Sequence, residues 1–281
     1  MKETPTHWVI SGRQVDLGAG VLVGVLNVTP DSFSDGGSFV VTDTAIAHGV
    51  GMVESGASLV DVGGESTRPG ASPVPDDEEL RRLIPTVAGL VDVGISVSVD
   101  TYKPEVARRA LAEGAVVLND VTGFRNYEMV EVAASSDCGL VVMHMQGTPT
   151  DMHIDPVYED VVAEVEDQLL ASVQRLESAG VSPDRIVLDP GIGFGKRASH
   201  SLQLLANLAR LAGHGFPIMV GTSRKGFLGG LVGNDDREGR DLATAVTTAI
   251  AFSRGARLFR VHDVPRSRDA LSVAAAIVTN Q

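Results

Sequence analysis

The sequence predicts an α/β protein built as a single (β/α)8 TIM barrel, with a short N-terminal β-hairpin before it. Eight short apolar runs rich in β-branched residues alternate with stretches whose apolar residues recur every three or four positions. Strands that alternate with helices are typical of a parallel sheet with helices packed on it. A doubly wound open sheet is the alternative, but eight regular units favour closure into a barrel.

Each element follows from a local pattern. Segments 7–10 and 14–17 flank Ser11-Gly12-Arg13 and predict the hairpin. The apolar runs predict strands at 21–26, 58–62, 95–99, 116–118, 140–143, 185–188, 217–220 and 258–261. The periodic stretches predict helices at 44–55, 76–91, 103–113, 127–134, 157–179, 200–212, 241–254 and 265–278. Segments 147–156 and 233–239 are less regular and are expected to be exposed loops.

No shift of composition marks a linker, so residues 1–281 are expected to form one domain, with 1–20 as the hairpin and lead-in. The first barrel strand ends at Asn27, and helical periodicity resumes only near Thr44. Connections from strand to helix usually have about 2–6 residues. The longer, polar connection here therefore predicts a ligand-binding loop rather than a spacer.

Composition excludes several classes of function. The net charge of −13 argues against general binding of nucleic acids or acidic membranes, because the mean field repels polyanions. The single cysteine, Cys138, rules out an internal disulfide and any cysteine-based metal cluster and is expected to be a buried thiol. Neither a signal peptide nor an apolar run of about 20 residues is present. These observations predict a cytoplasmic protein.

Carboxyl and amide groups stand at the ends of three predicted strands, at Asp100, Asn119 and Asp189. In a barrel these ends converge on one mouth, where the three groups can present acceptors and a donor together. That set suits the edge of a guanine-like heterocycle with adjacent N–H donors and a carbonyl. Lys225 is placed to reach a ring atom nearby. Met143 and Phe194 are candidates to enclose the flat face of the ring.

A second cluster predicts an anion site. Arg68, Arg260 and His262 are joined by the side-chain oxygen of Asn27, and two arginines with a histidine suit a phosphate or pyrophosphate. Mg²⁺ is the expected ion, because it prefers oxygen ligands and substrate phosphates to a cage made by the protein alone. The glycines of 191–195 do not fit the dinucleotide-binding spacing.

Taken singly, these residues have simpler explanations. Asp61 and Asp120 are compatible with caps of helices or loops, and Asp100 is compatible with a turn position. Segment 67–70, Thr-Arg-Pro-Gly, is compatible with a rigid turn. The functional interpretation rests on the set of strand ends and not on any one residue.

Six segments together resemble the dihydropteroate synthase family, in order and from about Val21 to the C-terminus. They are Asn27-Val-Thr-Pro-Asp-Ser-Phe-Ser-Asp-Gly-Gly37, Gly63-Gly-Glu-Ser-Thr-Arg-Pro-Gly70, Asn119-Asp120, Asp189-Pro-Gly-Ile-Gly-Phe-Gly-Lys196, Ser223-Arg-Lys225 and Arg260-Val-His262. The resemblance implies a TIM barrel, usually a homodimer, that requires Mg²⁺. It also implies an enzyme of folate biosynthesis that joins a hydroxymethyl-dihydropterin pyrophosphate to 4-aminobenzoate and releases pyrophosphate.

The resemblance also implies a role for each matching residue. The pterin-binding positions are Asp100, Asn119, Met143, Asp189, Phe194, Gly221 and Lys225. The pyrophosphate-binding positions are Asn27, Arg68, Arg260 and His262, and Asn27 is the ligand of the magnesium ion. The 4-aminobenzoate pocket comprises Phe33, Thr67, Arg68, Pro69, Phe194, Lys225 and Gly226. The positions implied in catalysis are Asp35, Asp100, Lys225 and Arg260.

One position departs from the family pattern. Gly226 stands where many members carry a serine that meets the aminobenzoate carboxylate, and the backbone N–H remains for this contact. The change bears on sulfonamide binding. Two alternatives share the barrel: a methyltetrahydrofolate-dependent methyltransferase and a non-catalytic pterin-binding protein. The loops around Phe33 and Thr67, and the pair Arg260 and His262, argue against the first, and the retention of Asn27, Arg68 and Lys225 argues against the second.

Overall fold

The apolar runs form a parallel barrel in the computed structural model. It describes residues 5–29, 38–66, 73–148, 150–152, 154–278 and 280, with the backbone alone for 38–41. The strands are β1 His7–Ile10, β2 Arg13–Asp16, β3 Val21–Asn27, β4 Leu59–Gly63, β5 Val97–Asp100, β6 Val117–Asp120, β7 Gly139–Met143, β8 Ile186–Asp189, β9 Met219–Val220 and β10 Leu258–Val261. The first two pair antiparallel, which confirms the N-terminal hairpin.

The other eight strands form one parallel sheet in the order β8-β7-β6-β5-β4-β3-β10-β9. The two ends of this sheet meet, because the backbone N–H of Leu188 donates to the carbonyl of Pro217 at 2.9 Å and Leu188 bridges to Ile218. The contact closes the sheet into a barrel, so the predicted (β/α)8 fold is confirmed and the open doubly wound sheet is excluded.

Helices surround the strands in the described part of the chain. They are α1 Ser38–Glu54, α2 Asp76–Asp92, α3 Pro104–Ala112, α4 Tyr127–Ala134, α5 Val161–Ser178, α6 Ala198–Ala206, α7 Leu208–Ala212, α8 Gly226–Val232, α9 Arg237–Ser253 and α10 Val264–Val278. None of the described helices is long and apolar enough to cross a membrane.

Several predicted helix boundaries were wrong, and capping explains two of them. Helix α5 begins at residue 161 rather than 157, because the Asp160 side chain accepts hydrogen bonds from the N–H groups of residues 162 and 163. Helix α9 begins four residues earlier than predicted, because Asp236 caps it by accepting from Gly239 N at 2.8 Å. The predicted helix 200–212 is interrupted at Asn207, and α8 was not predicted.

Side chains alternate between the inside and the outside of the barrel. On β4, Leu59 belongs to an interior cluster, whereas Val60 packs with the apolar faces of the helices. The interior cluster also contains Trp8 of the hairpin, which is 1% exposed and whose Nε1 donates to the carbonyl of Arg185 at 2.8 Å. The hairpin therefore packs against one apolar layer of the barrel interior. The polar side chains lie at the C-terminal ends of the strands.

Candidate active site

A polar layer lies directly above the apolar interior. Its side chains stand two residues further along the strands than members of the apolar cluster and therefore point to the same side. The pairs are Leu59 with Asp61, Val117 with Asn119, Val141 with Met143, Val187 with Asp189, Met219 with Gly221, and Leu258 with Arg260. Six strands thus place polar, flexible or small groups at one level near the C-terminal mouth of the barrel.

Neighbouring strands bring three predicted site residues into one row. Asn27 pairs with Gly63, Gly63 with Asp100, and Asp100 with Asn119. A Cβ added at Gly63 would lie 3.6 Å from Asn27 Oδ1 and 3.8 Å from an oxygen of Asp100. The glycine therefore leaves room between the two side chains, and the predicted anion and heterocycle clusters are continuous.

Arg260 joins the two clusters directly. Its Nε donates to Asp61 Oδ2 at 2.6 Å, and its Nη2 donates to Asp100 Oδ2 at 2.7 Å. Burial opposes the charge of Arg260, but Asp61 and Asp100 outweigh that effect and raise its pKa. The guanidinium is therefore a permanent cation held between the strand ends, where it can bind an anion.

Asp61 is a part of the site that the sequence did not reveal. It is 1% exposed and accepts from Ser98 Oγ at 2.5 Å and Asn119 Nδ2 at 3.1 Å, in addition to Arg260. Its interpretation as a cap was wrong, because it lies inside β4. The only available signal was a carboxylate within the apolar run of 59–62. Asp120, in contrast, is a loop cap, since it accepts from the N–H groups of Thr122 and Phe124.

The bond to Asp61 fixes the orientation of the Asn119 amide. Because Nδ2 is engaged, Oδ1 is turned away from Asp61, and this buried oxygen accepts no hydrogen bond from the described residues. A buried acceptor without a partner is costly. The site therefore offers a preformed acceptor to a ligand donor.

Asp189 supplies a second acceptor close by. It is 3% exposed, and its Oδ1 accepts from Gly191 N at 2.7 Å. A Cβ added at Gly221 would lie 3.9 Å from Asp189 Oδ2 and 3.9 Å from Arg260 Cβ, so Gly221 leaves the space between these residues open. Burial raises the pKa of Asp189 to about 6, against the opposing effects of the Gly191 N–H and nearby lysines.

Lys225 lies beside the predicted aromatic residue. Its Nζ stands 3.9 Å from the centre of the Phe194 ring, and a Cβ at Gly193 would lie 3.2 Å from its side chain. Phe194 packs against an apolar cluster that contains Met143. Burial lowers the pKa of Lys225 to about 8, with a further contribution from Arg260. The two residues predicted to enclose the ring thus share one wall of the pocket.

His262 is oriented by Ser223. The serine Oγ lies 2.7 Å from His262 Nδ1, and it also accepts from the His262 backbone N–H at 2.9 Å. One hydroxyl group therefore contacts both the ring and the backbone of His262, which fixes the direction of the imidazole. Ser223 precedes Lys225 by two residues, so one short turn supplies both a histidine partner and the lysine.

Burial controls the charge of Asp100. Desolvation raises the pKa of this carboxyl to about 7, against the pull of Arg260 and with the help of the nearby Asp61 charge. Asp61 and Asp100 therefore share one guanidinium. A ligand that brings hydrogen-bond donors or positive charge favours the ionised form of Asp100.

A second buried cation stands behind the pocket. Lys196 Nζ donates to the carbonyl of Phe194 at 2.9 Å and lies 2.8 Å from His144 Nδ1. Burial lowers the pKa of Lys196 to about 7 and that of His144 to about 2. These residues support the glycine-rich loop after β8 and were not predicted.

Five predicted residues lie outside the described part of the chain: Phe33, Asp35, Thr67, Arg68 and Pro69. Their proposed roles remain predictions. All other predicted site residues except the exposed Gly226 line or border the polar layer at the barrel mouth.

The donor set fits a magnesium ion that is held mainly by a substrate. In the described residues, no group of three or more His, Cys, Asp or Glu side chains is arranged to hold a metal. Asn27 offers one amide oxygen next to the Asp100 carboxylate, across the open position at Gly63. Mg²⁺ commonly takes one or two protein oxygens and completes its shell with phosphate oxygens and water.

Comparisons with known proteins agree with this geometry. Residues 23–262 match the family described as "Pterin binding enzyme". The chain is 47% identical to the dihydropteroate synthase of Mycobacterium leprae (strain TN) over 262 residues, which cover 91% of this chain and 92% of the relative.

Two solved structures of Xanthomonas albilineans dihydropteroate synthase share the fold. One, with 4-aminobenzoic acid, has a TM-score of 0.91 at 44% identity and covers 98% of this chain and 99% of that one. The other, in complex with 7,8-dihydropteroate, has a TM-score of 0.87 at 41% identity and covers 97% and 98% of the two chains.

Proposed function

The chain belongs to the dihydropteroate synthases of the pterin-binding enzyme family, and on this premise we propose how its residues carry out the transferase reaction. The enzyme joins 6-hydroxymethyl-7,8-dihydropterin pyrophosphate to 4-aminobenzoate, and the products are 7,8-dihydropteroate and pyrophosphate. The observation that carries the assignment of residues is the polar layer around Arg260. The contacts of Arg260 with Asp61 and Asp100 support a site that binds a heterocycle next to a leaving anion.

The pterin edge binds to the buried acceptors. Asp189 as a carboxylate accepts from the ring N–H donors. Asn119 Oδ1, which has no partner among the described residues, accepts another. Lys225 donates to a ring acceptor, and Met143 and Phe194 contact the ring face. Gly221 keeps the slot open, because a side chain there would extend toward Asp189 and Arg260.

The pyrophosphate binds to the cationic side of the mouth. Arg260 and His262 face it from the end of β10, Arg68 is the proposed second arginine, and Asn27 is the proposed protein ligand of the magnesium ion. When bound, Mg²⁺ supplies charge neutralisation of the departing phosphate oxygens. Arg260 then gives up part of its contact with Asp100 in order to bind the phosphate. The negative charge of the Asp100 carboxylate is then less neutralised and can act on the reacting carbon.

The reaction follows a loosely dissociative course. The carbon–oxygen bond to pyrophosphate breaks, and its electron pair leaves with the oxygen. The resulting pterin methylene cation is stabilised by the Asp100 carboxylate. The arylamine nitrogen then attacks this carbon with its lone pair and loses one proton, for which Asp35 is the candidate acceptor.

The 4-aminobenzoate binds on the outer side of the pterin. Phe33, Thr67, Arg68 and Pro69 are its proposed contacts on the first two loops. Phe194 and the aliphatic stem of Lys225 form the inner wall of this pocket, where Lys225 Nζ lies over the Phe194 ring. The backbone N–H of Gly226, at the start of α8, is the proposed donor to the carboxylate.

We also propose that the enzyme is a cytoplasmic homodimer. Its single thiol, Cys138, is buried and burial raises its pKa, which suits a reducing compartment. An apolar surface on α9 and α10 supports the dimer: Leu242, Val246, Ile250, Val273 and Ile277 are all at least 45% exposed.

The assay of choice is pyrophosphate release on mixing the pterin pyrophosphate with 4-aminobenzoate and Mg²⁺. We expect release that needs both substrates and stops when a chelator is added. Replacing His262 with Ala should lower turnover far more than it weakens binding of a pterin without pyrophosphate, because the imidazole acts on charge that develops as the bond breaks. Equal losses in the two measurements would contradict the pyrophosphate assignment.

A further inference from the structure

The turn that follows β9 carries two site residues on either side of a strained one. Ser223 contacts His262, Lys225 lies over Phe194, and Arg224 stands between them with φ at 56°. Among the described residues outside glycine, a positive φ occurs at only four positions. This region is unfavourable for a residue with a Cβ, so surrounding contacts must hold Arg224 in it.

Helix α9 supplies those contacts from three residues at successive turns of one face. Asp241 accepts from Arg224 Nε at 2.7 Å and from Arg224 Nη2 at 3.0 Å. Thr244 Oγ1 accepts from the backbone N–H of Arg224 at 3.1 Å, and Thr247 Oγ1 lies 2.9 Å from Thr222 Oγ1. The spacing of three residues puts the three side chains on one side of the helix.

The strongest of these contacts is the two-pronged ion pair. The Asp241 side chain is 6% exposed and that of Arg224 is 25% exposed. Hydrogen bonds from a guanidinium to a carboxylate are shorter and stronger than hydrogen bonds between neutral groups, and two parallel bonds also fix the relative orientation of the two side chains. It also fixes the direction of the Arg224 side chain, and with it the backbone of the turn.

We propose that Asp241 is a positioning residue of the active site: through Arg224 it holds the turn 222–225 in the strained conformation that aims Ser223 and Lys225 into the barrel mouth. Asp241 itself touches neither substrate. This inference rests on the proposed function, because it takes Lys225 and His262 to be ligands of the two halves of the substrate. It goes beyond the proposed function because it gives a residue of the outer helix α9 the role of orienting Ser223 and Lys225.

The test compares two deletions of the same ion pair. Both Arg224→Ala and Arg224→Gly remove the guanidinium, but only alanine retains the penalty for a positive φ. If the pair serves to maintain the strained turn, Arg224→Gly should bind a pterin without pyrophosphate with an affinity close to that of the unaltered enzyme. Arg224→Ala and Asp241→Asn should bind it on the order of tenfold more weakly.

A matched control comes from the same helix. Glu238 forms an exposed ion pair with Arg266 at 3.1 Å and does not contact the turn, so Glu238→Gln should bind the pterin as the unaltered enzyme does. Calorimetry gives the affinities, and urea unfolding of each variant gives stability separately. Combining Asp241→Asn with Arg224→Gly should recover affinity relative to Asp241→Asn alone.

Two outcomes would overturn the inference. Equal affinities of Arg224→Ala and Arg224→Gly would mean that the strained turn does not matter, and unchanged affinity of Asp241→Asn would mean that the ion pair does not position it. A failure of the proposed function looks different. In that case the unaltered enzyme itself would bind no pterin or release no pyrophosphate.

Discussion

At the scale of single residues, several buried ionisable groups of the site have pKa values close to neutral pH. Burial raises the pKa values of Asp189 and Asp100 to about 6 and about 7, and it lowers that of Lys225 to about 8. Perturbed pKa values of this kind are typical of functional sites. Burial is the main cause of all three shifts. Arg260, which binds Asp61 and Asp100, opposes the shifts of the two carboxyl groups and adds to that of Lys225.

These shifts predict that pterin binding weakens in mild acid. Above about pH 7 both Asp100 and Asp189 are carboxylates and accept from the ring N–H groups. As the pH falls through 7 toward 5 they gain protons, and a protonated oxygen then faces a ring donor. We expect the affinity for a pterin without pyrophosphate to fall with a midpoint between about 6 and 7, far above the value of about 3.9 for an ordinary aspartate. Fluorescence titration from pH 5 to 7.5 measures it.

The Asp189→Asn variant is the control for this profile. Its amide presents an N–H to the ring donors at every pH, so binding should be weak throughout, and only the acid dependence that comes from Asp100 should remain. Far-ultraviolet circular dichroism at pH 5 checks that the fold persists. An affinity of the unaltered enzyme that stays constant down to pH 5 would contradict the roles of both carboxylates.

At the scale of elements, the strands were predictable because β-branched apolar runs report burial on both faces. The apolar runs stop one or two residues short of four strand ends, since Asn27, Asp100, Asp120 and Asp189 continue the ladder although they are polar. The order of the strand ends identified the residues that converge. It could not show that Arg260 binds Asp100 across the barrel, because that contact depends on the closure of the sheet and the lengths of the side chains.

A buried ion cluster links three elements at the edge of the site. Lys103, at the start of α3, donates to Glu65 after β4 and to Glu79 in α2, both at 2.6 Å, and to the carbonyl of Val74. Tyr102 adds a hydrogen bond to Glu65 at 2.8 Å. Glu65 and Val74 stand on either side of 67–72, so Lys103 ties together both flanks of this proposed binding segment.

Removing this lysine should strongly destabilise the protein. Lys103→Met keeps most of the volume but leaves two carboxylates, which are 7% and 1% exposed, without their cation. Breaking a buried pair in this way typically costs about 3–5 kcal/mol. We expect urea unfolding to show a loss of that size. Adding Glu79→Gln should recover part of it, because one of the stranded charges is removed.

The same helix provides the comparison. Arg108 forms an exposed pair with Glu105 at 3.6 Å, and Arg108→Met should change the free energy of unfolding by less than about 1 kcal/mol. Similar small effects of the two substitutions would mean that the cluster is not a structural anchor. A normal KM for 4-aminobenzoate in Lys103→Met would further argue that the flanks of 67–72 do not depend on it.

At the scale of the whole molecule, the barrel has one apolar and one polar level. The hairpin residue Trp8 packs with strand residues such as Val117 and Val187, whereas Asn119 and Asp189 stand two positions further along the same strands. Because side chains alternate along a strand, residues two positions apart point to the same side. The first of each pair packs in the apolar core, and the second belongs to the proposed active site. The substrates therefore approach from one end, and the outer helices remain available for assembly.

The last prediction concerns that assembly. Leu242, Val246 and Ile250 recur every four residues on α9 and form an exposed stripe beside α10. Apolar side chains of this size each contribute about 1.5–3 kcal/mol when buried, so a dimer built on the stripe should be sensitive to one charge at its centre. We expect Val246→Asp to weaken the dimer roughly a hundredfold and to give monomers in sedimentation velocity at micromolar concentration. Val93→Asp, at the exposed valine that follows α2, should sediment as the unaltered protein does. A monomeric unaltered protein, or a Val246→Asp variant that remains dimeric, would mean that this face has another use.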